Sequence, residues 1–243
     1  MSLTDLQEIQ RQRNLDTRGN WERSQDHRNQ ITTKLTAGEP ESFLRVFGAG
    51  NANDLDLNQL SQHYTQIELV DIDSEALTHG IKSQGISHKH GVELVADVDL
   101  STHQFPYTRP ASTTVSACLF TQLIEQQSVE HNRSPESVAL FRENHLKMLM
   151  SSTQPGGRVL FITDIVSNHT ARQLPKVSED QLNGFLSELV AVNNFFTGTN
   201  PFAIQKQLDS FEEVATHHLH DAWTWKLGAR RFAVYAIEIQ LKA

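Results

Sequence analysis

Five short apolar runs frame this chain, at residues 43–47, 67–70, 92–96, 114–119 and 158–163. Between them lie longer segments with helical spacing, such as 54–63, 74–83 and 134–150. A continuous apolar run of four to six residues is what a parallel strand buried on both faces requires. Strands that alternate with helices build βαβ units and a parallel sheet. A strand-like segment at 217–227 and a sixth apolar run at 232–239 follow, and Gly228-Ala229-Arg230 between them reads as a hairpin turn. The expected fold is α/β: a doubly wound, mostly parallel seven-stranded sheet with a C-terminal antiparallel hairpin and helices on both faces.

The first 40 residues are polar and poor in aliphatics, so they read as an N-terminal helical cap, with one domain over residues 41–243. Helix starts are marked by Ser134-Pro135-Glu136, a Ser N-cap followed by Pro at the first helical position. Ser178 with Gln181, and Ser210-Phe211-Glu212-Glu213, have the spacing of capping boxes. The helix from Pro135 is expected to end near Ser151 and Ser152, and Pro155-Gly156-Gly157 then turns the chain into the next strand. Residues 165–209 break the alternation and are too long for a plain connection. They contain a helix at about 179–194, then Phe195-Phe196, and are expected to form a lid.

Composition limits the function classes. The apolar runs fall far short of the ~20 residues of a membrane span, and the first residues show no apolar signal region. The single cysteine, Cys118, excludes a disulfide framework and a Cys-rich metal site. The expected location is cytoplasmic, with no membrane partner. The net charge of -8 argues against nucleic acid, whose phosphates call for a basic face.

The chemistry concentrates where the first apolar run meets Gly48-Ala49-Gly50-Asn51 and a helix follows. Glycines here permit a tight turn and close approach of backbone to a ligand, and the helix start favours polar or anionic groups. The second run ends in Asp71-Ile72-Asp73, with Asp71 21 residues beyond Gly50. An acid at about this distance accepts ribose hydroxyls in doubly wound nucleotide-binding folds. The alternative is that one of these acids only caps the next helix, a role that suits Asp73. The third run ends in Asp97-Val98-Asp99, where an acid either hydrogen-bonds an adenine amino group or is a surface loop residue.

Together these residues resemble class I S-adenosylmethionine-dependent methyltransferases over about residues 42–165 and the terminal hairpin. The resemblance implies that Gly48, Ala49, Gly50 and Asn51 wrap the methionine part of S-adenosylmethionine. It implies further that Asp71, beside Ile72, binds the ribose and that Asp97 and Val98 border the adenine. The fourth strand, through Ala117, would touch the methionine moiety. Pro155-Gly156-Gly157 matches the turn before that family's fifth strand. The chain departs from the pattern at Val46, where the family carries an acid that contacts the cofactor's amino group; Asp54 or Asp56 are candidates to replace it. Asn53 at the sixth position of the loop is incompatible with a dinucleotide fingerprint.

Methyl transfer from a sulfonium asks the protein mainly to align the acceptor and exclude water. The expected partner is a small-molecule acceptor. Asp164, at the end of the fifth run, is the candidate catalytic residue, its alternative being a turn or cap acid. Trp21, Arg28, Gln122, Phe195 and Phe196 are candidate substrate-binding residues. A non-catalytic binding module of the same fold and a methyltransferase of macromolecules are the competing readings. No metal is expected: of the clustered His217, His218 and His220, strand alternation puts only His218 and His220 on one face, and they lack a third ligand at metal spacing.

Overall fold

The computed structural model describes residues 5–86, 91–105, 107–130 and 134–243. Two helices come first, α1 (Asp5–Thr17) and α2 (Gln25–Leu35). Then follow β1 (Glu41–Phe47), α3 (Leu57–His63), β2 (Tyr64–Val70), α4 (Ser74–Ser83), β3 (Val92–Val95) and β4 (Ala111–Ala117). The rest comprises α5 (Phe120–Glu130), α6 (Pro135–Ser151), β5 (Thr153–Ser167), α7 (Glu179–Ala191), α8 (Pro201–Leu208), β6 (Val214–Leu219), β7 (Trp223–Leu227) and β8 (Arg230–Leu241). The strands form one sheet in the order β3-β2-β1-β4-β5-β8-β6, with β7 also paired to β8. β1 to β5 are parallel; β8 runs antiparallel to β5, β6 and β7.

Successive side chains of a strand face opposite ways, so each parallel strand feeds two cores. On one face Ile31, Leu35, Leu57, Leu60, Leu77 and Ile81 from α2, α3 and α4 pack on Leu44, Val46, Leu160 and Ile162. On the other, Phe120, Phe141, Leu149, Leu182 and Ile204 from α5 to α8 pack on Phe47, Val159, Phe161 and Tyr235. This two-sided burial is why the strands read as unbroken apolar runs.

The sheet has eight strands in seven positions. The segment expected as one strand at 217–227 is interrupted at 220–222, giving β6 and β7, both held by the continuous β8: Leu219 pairs with Ile237 and Trp223 with Val234. Ser210 does not start a helix. Its hydroxyl donates to Gln207 O at the end of α8, and Phe211 packs against the core instead. Pairing of Val214 with Leu241 then commits the segment to the sheet. Ser134 caps α6 as expected, accepting from Ser137 N at 3.1 Å. Ser178 occupies the N-cap position of α7 without a side-chain capping bond. Residues 165–209 contain α8 as well as α7; Asn200 caps α8 and Pro201 is its first residue. No helix among the described residues is long and apolar enough to cross a membrane.

Beneath this frame lies a buried ion pair that the apolar patterning conceals. Arg45 on β1 is fully buried, and its Nε donates to Glu68, its register partner on β2. Its Nη1 and Nη2 donate to Ser152 O (3.0 Å) and Arg109 O (2.9 Å). Removing one partner of a buried pair leaves a charge without compensation, at a cost of about 3–5 kcal/mol. Glu68→Leu is therefore expected to lose about that much in urea unfolding, and Arg45→Met with Glu68→Leu to recover much of it. Equal losses in the single and double variants would contradict this account.

Candidate functional site

The order of strands fixes where a ligand can sit. From β1 the chain first builds outward through β2 and β3, then returns to place β4 on the other side of β1. In open α/β sheets the crevice for ligands lies at the carboxyl ends of the strands at such a reversal. The loop after β1 occupies it. Gly48 N and Ala49 N both donate to Val70 O, and Gly50 N donates to Asp71 Oδ2 at 2.8 Å. Asp71 Oδ1 also accepts from Asp73 N at 3.1 Å. Asp73, as expected, caps α4, accepting from Glu75 N and Ala76 N.

Two glycines make this packing possible. Gly48 has φ +78°, and a Cβ there would lie 2.8 Å from Leu119 Cβ. A Cβ on Gly80 of α4 would lie 2.6 Å from Asn51 O, so the helix can support the loop only without a side chain. From above, α1 closes on the same loop with polar contacts. Asn51 Nδ2 donates to Asn14 O (2.6 Å), Asn53 Nδ2 to Thr17 O (2.8 Å), and Arg13 pairs with Glu125 of α5 at 3.0 Å.

A cavity of about 580 Å³ opens beside the loop. Gly48, Ala49, Gly50, Asn51, Ala117, Gln122, Phe196 and Asp164, all singled out from sequence, line it. A smaller hollow of about 80 Å³ adjoins it, lined by Asp71, Ile72 and Val98 together with Asp99. Gln10 and Asn14 of α1 stand over this hollow. Asp97 lines neither space; it is exposed, with φ +59°. Phe195 packs against the apolar layer on the α5–α8 face, while Phe196 packs on the opposite one. Trp21 and Arg28 do not line the cavity. The Arg28 guanidinium stacks 3.5 Å from the Trp21 ring centroid, and its Nη1 donates to Trp21 O and Asn53 O behind the loop.

The cavity also contains Asp54, one of the two acids that the sequence offers in place of Val46, and two residues that pattern reading missed, Trp225 and Phe232. Asp54 follows the loop, and Thr121, Trp225 and Phe232 complete the wall. Thr121 donates to Asp164 Oδ1 at 2.6 Å. Behind Trp225 lies His27, buried and stacked on that ring with centroids 4.5 Å apart. The Trp223 indole N–H donates to His27 Nδ1 at 2.8 Å, which leaves the imidazole proton on Nε2. Burial lowers His27 to about 3, so the ring stays neutral. Its Nε2 faces Asp54 Oδ1 and Cys118 Sγ, both at 3.8 Å.

Three carboxyl groups share an upward shift. Burial raises Asp54 to about 7, opposed by the charge of Arg28. Burial raises Asp71 to about 6, opposed by amide hydrogen bonds from Gly50 and Asp73. Burial raises Asp164 to about 6, opposed by the Thr121 hydroxyl. Burial also raises the Cys118 thiol, with the nearby Asp54 and Asp164 adding to it. Among the described residues no group of three His, Cys, Asp or Glu side chains could hold a metal ion. His218 and His220 meet ring to ring instead, and His217 pairs with Asp209.

No protein-family model and no curated protein matches the chain. Solved structures do match its shape. Magnesium protoporphyrin IX methyltransferase from Synechocystis PCC 6803, crystallised with bound SAH, aligns at TM-score 0.51 and 10% identity, over 90% of this chain and 83% of that one. A SAM-dependent methyltransferase from Methanosarcina mazei aligns at TM-score 0.52 and 14% identity, over 86% and 97%. The YcgJ protein from Bacillus subtilis aligns at TM-score 0.54 and 9% identity, over 89% and 98%. This is the class I methyltransferase fold. In this chain the loop after β1 and the acid after β2 lie at the switch point of the sheet.

The raised carboxyls set a sign for pH dependence. For Asp164, folded near 6 against about 3.8 when exposed, the folded state holds a proton that the unfolded chain has released. Its contribution to stability is therefore present below about pH 4 and lost as pH rises through 6. In denaturant unfolding, Asp164→Asn is expected to gain stability relative to the native chain between pH 5 and pH 8. A difference that does not change with pH would contradict the assignment.

Proposed function

We propose that this chain is an S-adenosylmethionine-dependent methyltransferase acting on a small molecule. The observation that carries the reading is one cavity that joins the glycine loop, the end of β4 and the Asp164 carboxyl. Its volume of about 580 Å³ lies within the roughly 300–1,000 Å³ range of small-molecule sites.

S-adenosylmethionine supplies a methyl group already activated by its sulfonium, so transfer proceeds by in-line displacement. The chain's residues then have positional roles. The backbone of Gly48, Ala49, Gly50 and Asn51, with Ala117, holds the amino-acid portion of the cofactor. Asp71 and Ile72 receive the ribose, the Asp71 carboxylate turning part of its capacity from Gly50 N to hydroxyl donors. Val98 borders the base, with Asp99 on the same hollow in place of the outward-turned Asp97. Residues 1–40 act as a cap and residues 165–209 as a lid, and together they exclude water and orient the acceptor. Gln122 and Phe196 face the acceptor. Phe195, Trp21 and Arg28 brace the surrounding walls. Asp164, fixed by Thr121, accepts a proton from acceptors that must lose one. The net charge of -8 disfavours a nucleic-acid acceptor.

Calorimetric titration with S-adenosylhomocysteine tests the cofactor half. Binding is expected, weakened at least tenfold by Asp71→Asn; no binding at millimolar ligand would overturn it. Incubation with cofactor tritiated in its methyl group, against metabolite, RNA and protein fractions, tests the acceptor half. Label is expected in metabolites, and label in RNA or protein would overturn the small-molecule reading.

A further inference from the structure

The C-terminal hairpin supplies one wall of the cavity, and its register orders that wall. Trp225 pairs with Phe232 and Leu227 with Arg230 across β7 and β8, and all four line the cavity. Residues directly paired, or two apart on one strand, share a face of the sheet. Val234 continues that face of β8 and pairs with Asp164 of β5. At about 3.4 Å per residue, Phe232 lies roughly 7 Å and Arg230 roughly 14 Å along β8 from Val234. The wall therefore runs from the Asp164 carboxyl, through an aromatic patch, to a guanidinium at the hairpin turn.

The aromatic patch is fixed from behind. One face of the Trp225 ring stacks on His27, with centroids 4.5 Å apart and planes 15° from parallel, and the Trp223 N–H holds that imidazole. Phe232 flanks Trp225 at 5.5 Å between centroids, tilted by 37°. Phe196 lines the same cavity. Rings held in place in this way form a ready stacking surface, which loses little freedom when a planar ligand lands on it.

Arg230 completes the pattern. It is exposed, and among the described residues it makes no ion pair and no side-chain hydrogen bond. The other cation that lines the cavity, Arg13, is paired with Glu125 at 3.0 Å. The remaining acids, Asp16 and Asp54, come from α1 and from the segment after the glycine loop, and Asp54 Oδ1 is turned to His27. A guanidinium with its donors free suits a carboxylate, which it meets with two parallel hydrogen bonds.

We propose that the methyl acceptor of this chain is an aromatic compound bearing a carboxylate, with its ring on Trp225 and Phe232 and its carboxylate on Arg230. This rests on the methyltransferase reading above and names the acceptor class of that site. The opposite end of such a molecule lies toward Asp164 and the glycine loop.

The test is calorimetric titration of the protein, saturated with S-adenosylhomocysteine, with 3-phenylpropanoate, 3-phenylpropanamide and 3-cyclohexylpropanoate. Native protein is expected to bind 3-phenylpropanoate about fivefold more tightly than the amide, the scale of an exposed charge pair. It is expected to bind it about threefold more tightly than the cyclohexyl acid, the scale of an aromatic contact. Arg230→Gln should erase the first preference, keep the second and leave melting unchanged, and Arg230→Lys should restore part of the first. Arg231→Gln removes the same charge one residue away, where the side chain donates to Pro175 O outside the cavity, and should change neither preference. Trp225→Leu should erase the second; if that variant does not fold, the cyclohexyl comparison in native protein decides the aromatic half. The proposal is overturned if native protein binds no probe, if either preference is absent, or if Arg231→Gln loses as much as Arg230→Gln. Failure of native protein to bind S-adenosylhomocysteine overturns the cofactor reading instead, and the same probes titrated on the empty protein then decide whether the wall takes aromatic carboxylates.

Discussion

The carboxylate of Asp71 joins the ends of two strands. One oxygen accepts Gly50 N from the loop after β1, and the other accepts Asp73 N at the start of α4. Its own amide donates to Val95 O of β3, and its carbonyl accepts Val98 N. One residue thus fixes the outlets of β1, β2 and β3 relative to each other. Burial makes its charge costly, while the two amide bonds offset part of that cost. A group held under this tension is suited to exchange an amide donor for ligand hydroxyls, because both satisfy the same lone pairs.

Around that point the site is assembled from elements with different binding physics. The sheet side is held by packing and by Arg45–Glu68, which locks β1 to β2 far from solvent. The cover from α1 is polar, made by Asn14, Thr17 and Arg13 on Asn51, Asn53 and Glu125. Its Arg13–Glu125 pair is exposed, and such pairs contribute about 0–1 kcal/mol each and are screened by salt. A rigid floor and a weakly held cover are what a site needs if a ligand must enter and then be enclosed.

The strands were legible because burial on both faces forces unbroken apolar runs, and α4 and α6 because Asp73 and Ser134 cap them. The signal for α8, Asn200 followed by Pro201, was equally plain but lay within a segment read as irregular. The break between β6 and β7 was hidden, since β8 alone decides which residues of 217–227 pair. Site residues that belong to the glycine loop and to the strand ends could be read by spacing. Trp225, Phe232 and His27 could not. They meet only after the terminal hairpin folds back on α2, across nearly the whole chain, as in the Trp223–His27 bond. Of the two acids after β3, the family resemblance pointed to Asp97, whereas the backbone turns it outward and leaves Asp99 on the hollow.

The central claim is that Asp71 and the loop it holds form the cofactor's seat. A crystal structure of the chain soaked with S-adenosylhomocysteine tests it most directly. The account predicts the ribose hydroxyls on the Asp71 carboxylate, the base beside Val98 and the amino-acid end against Gly48–Asn51 and Ala117. Ligand bound elsewhere, with Asp71 still turned only to Gly50 and Asp73, would contradict it.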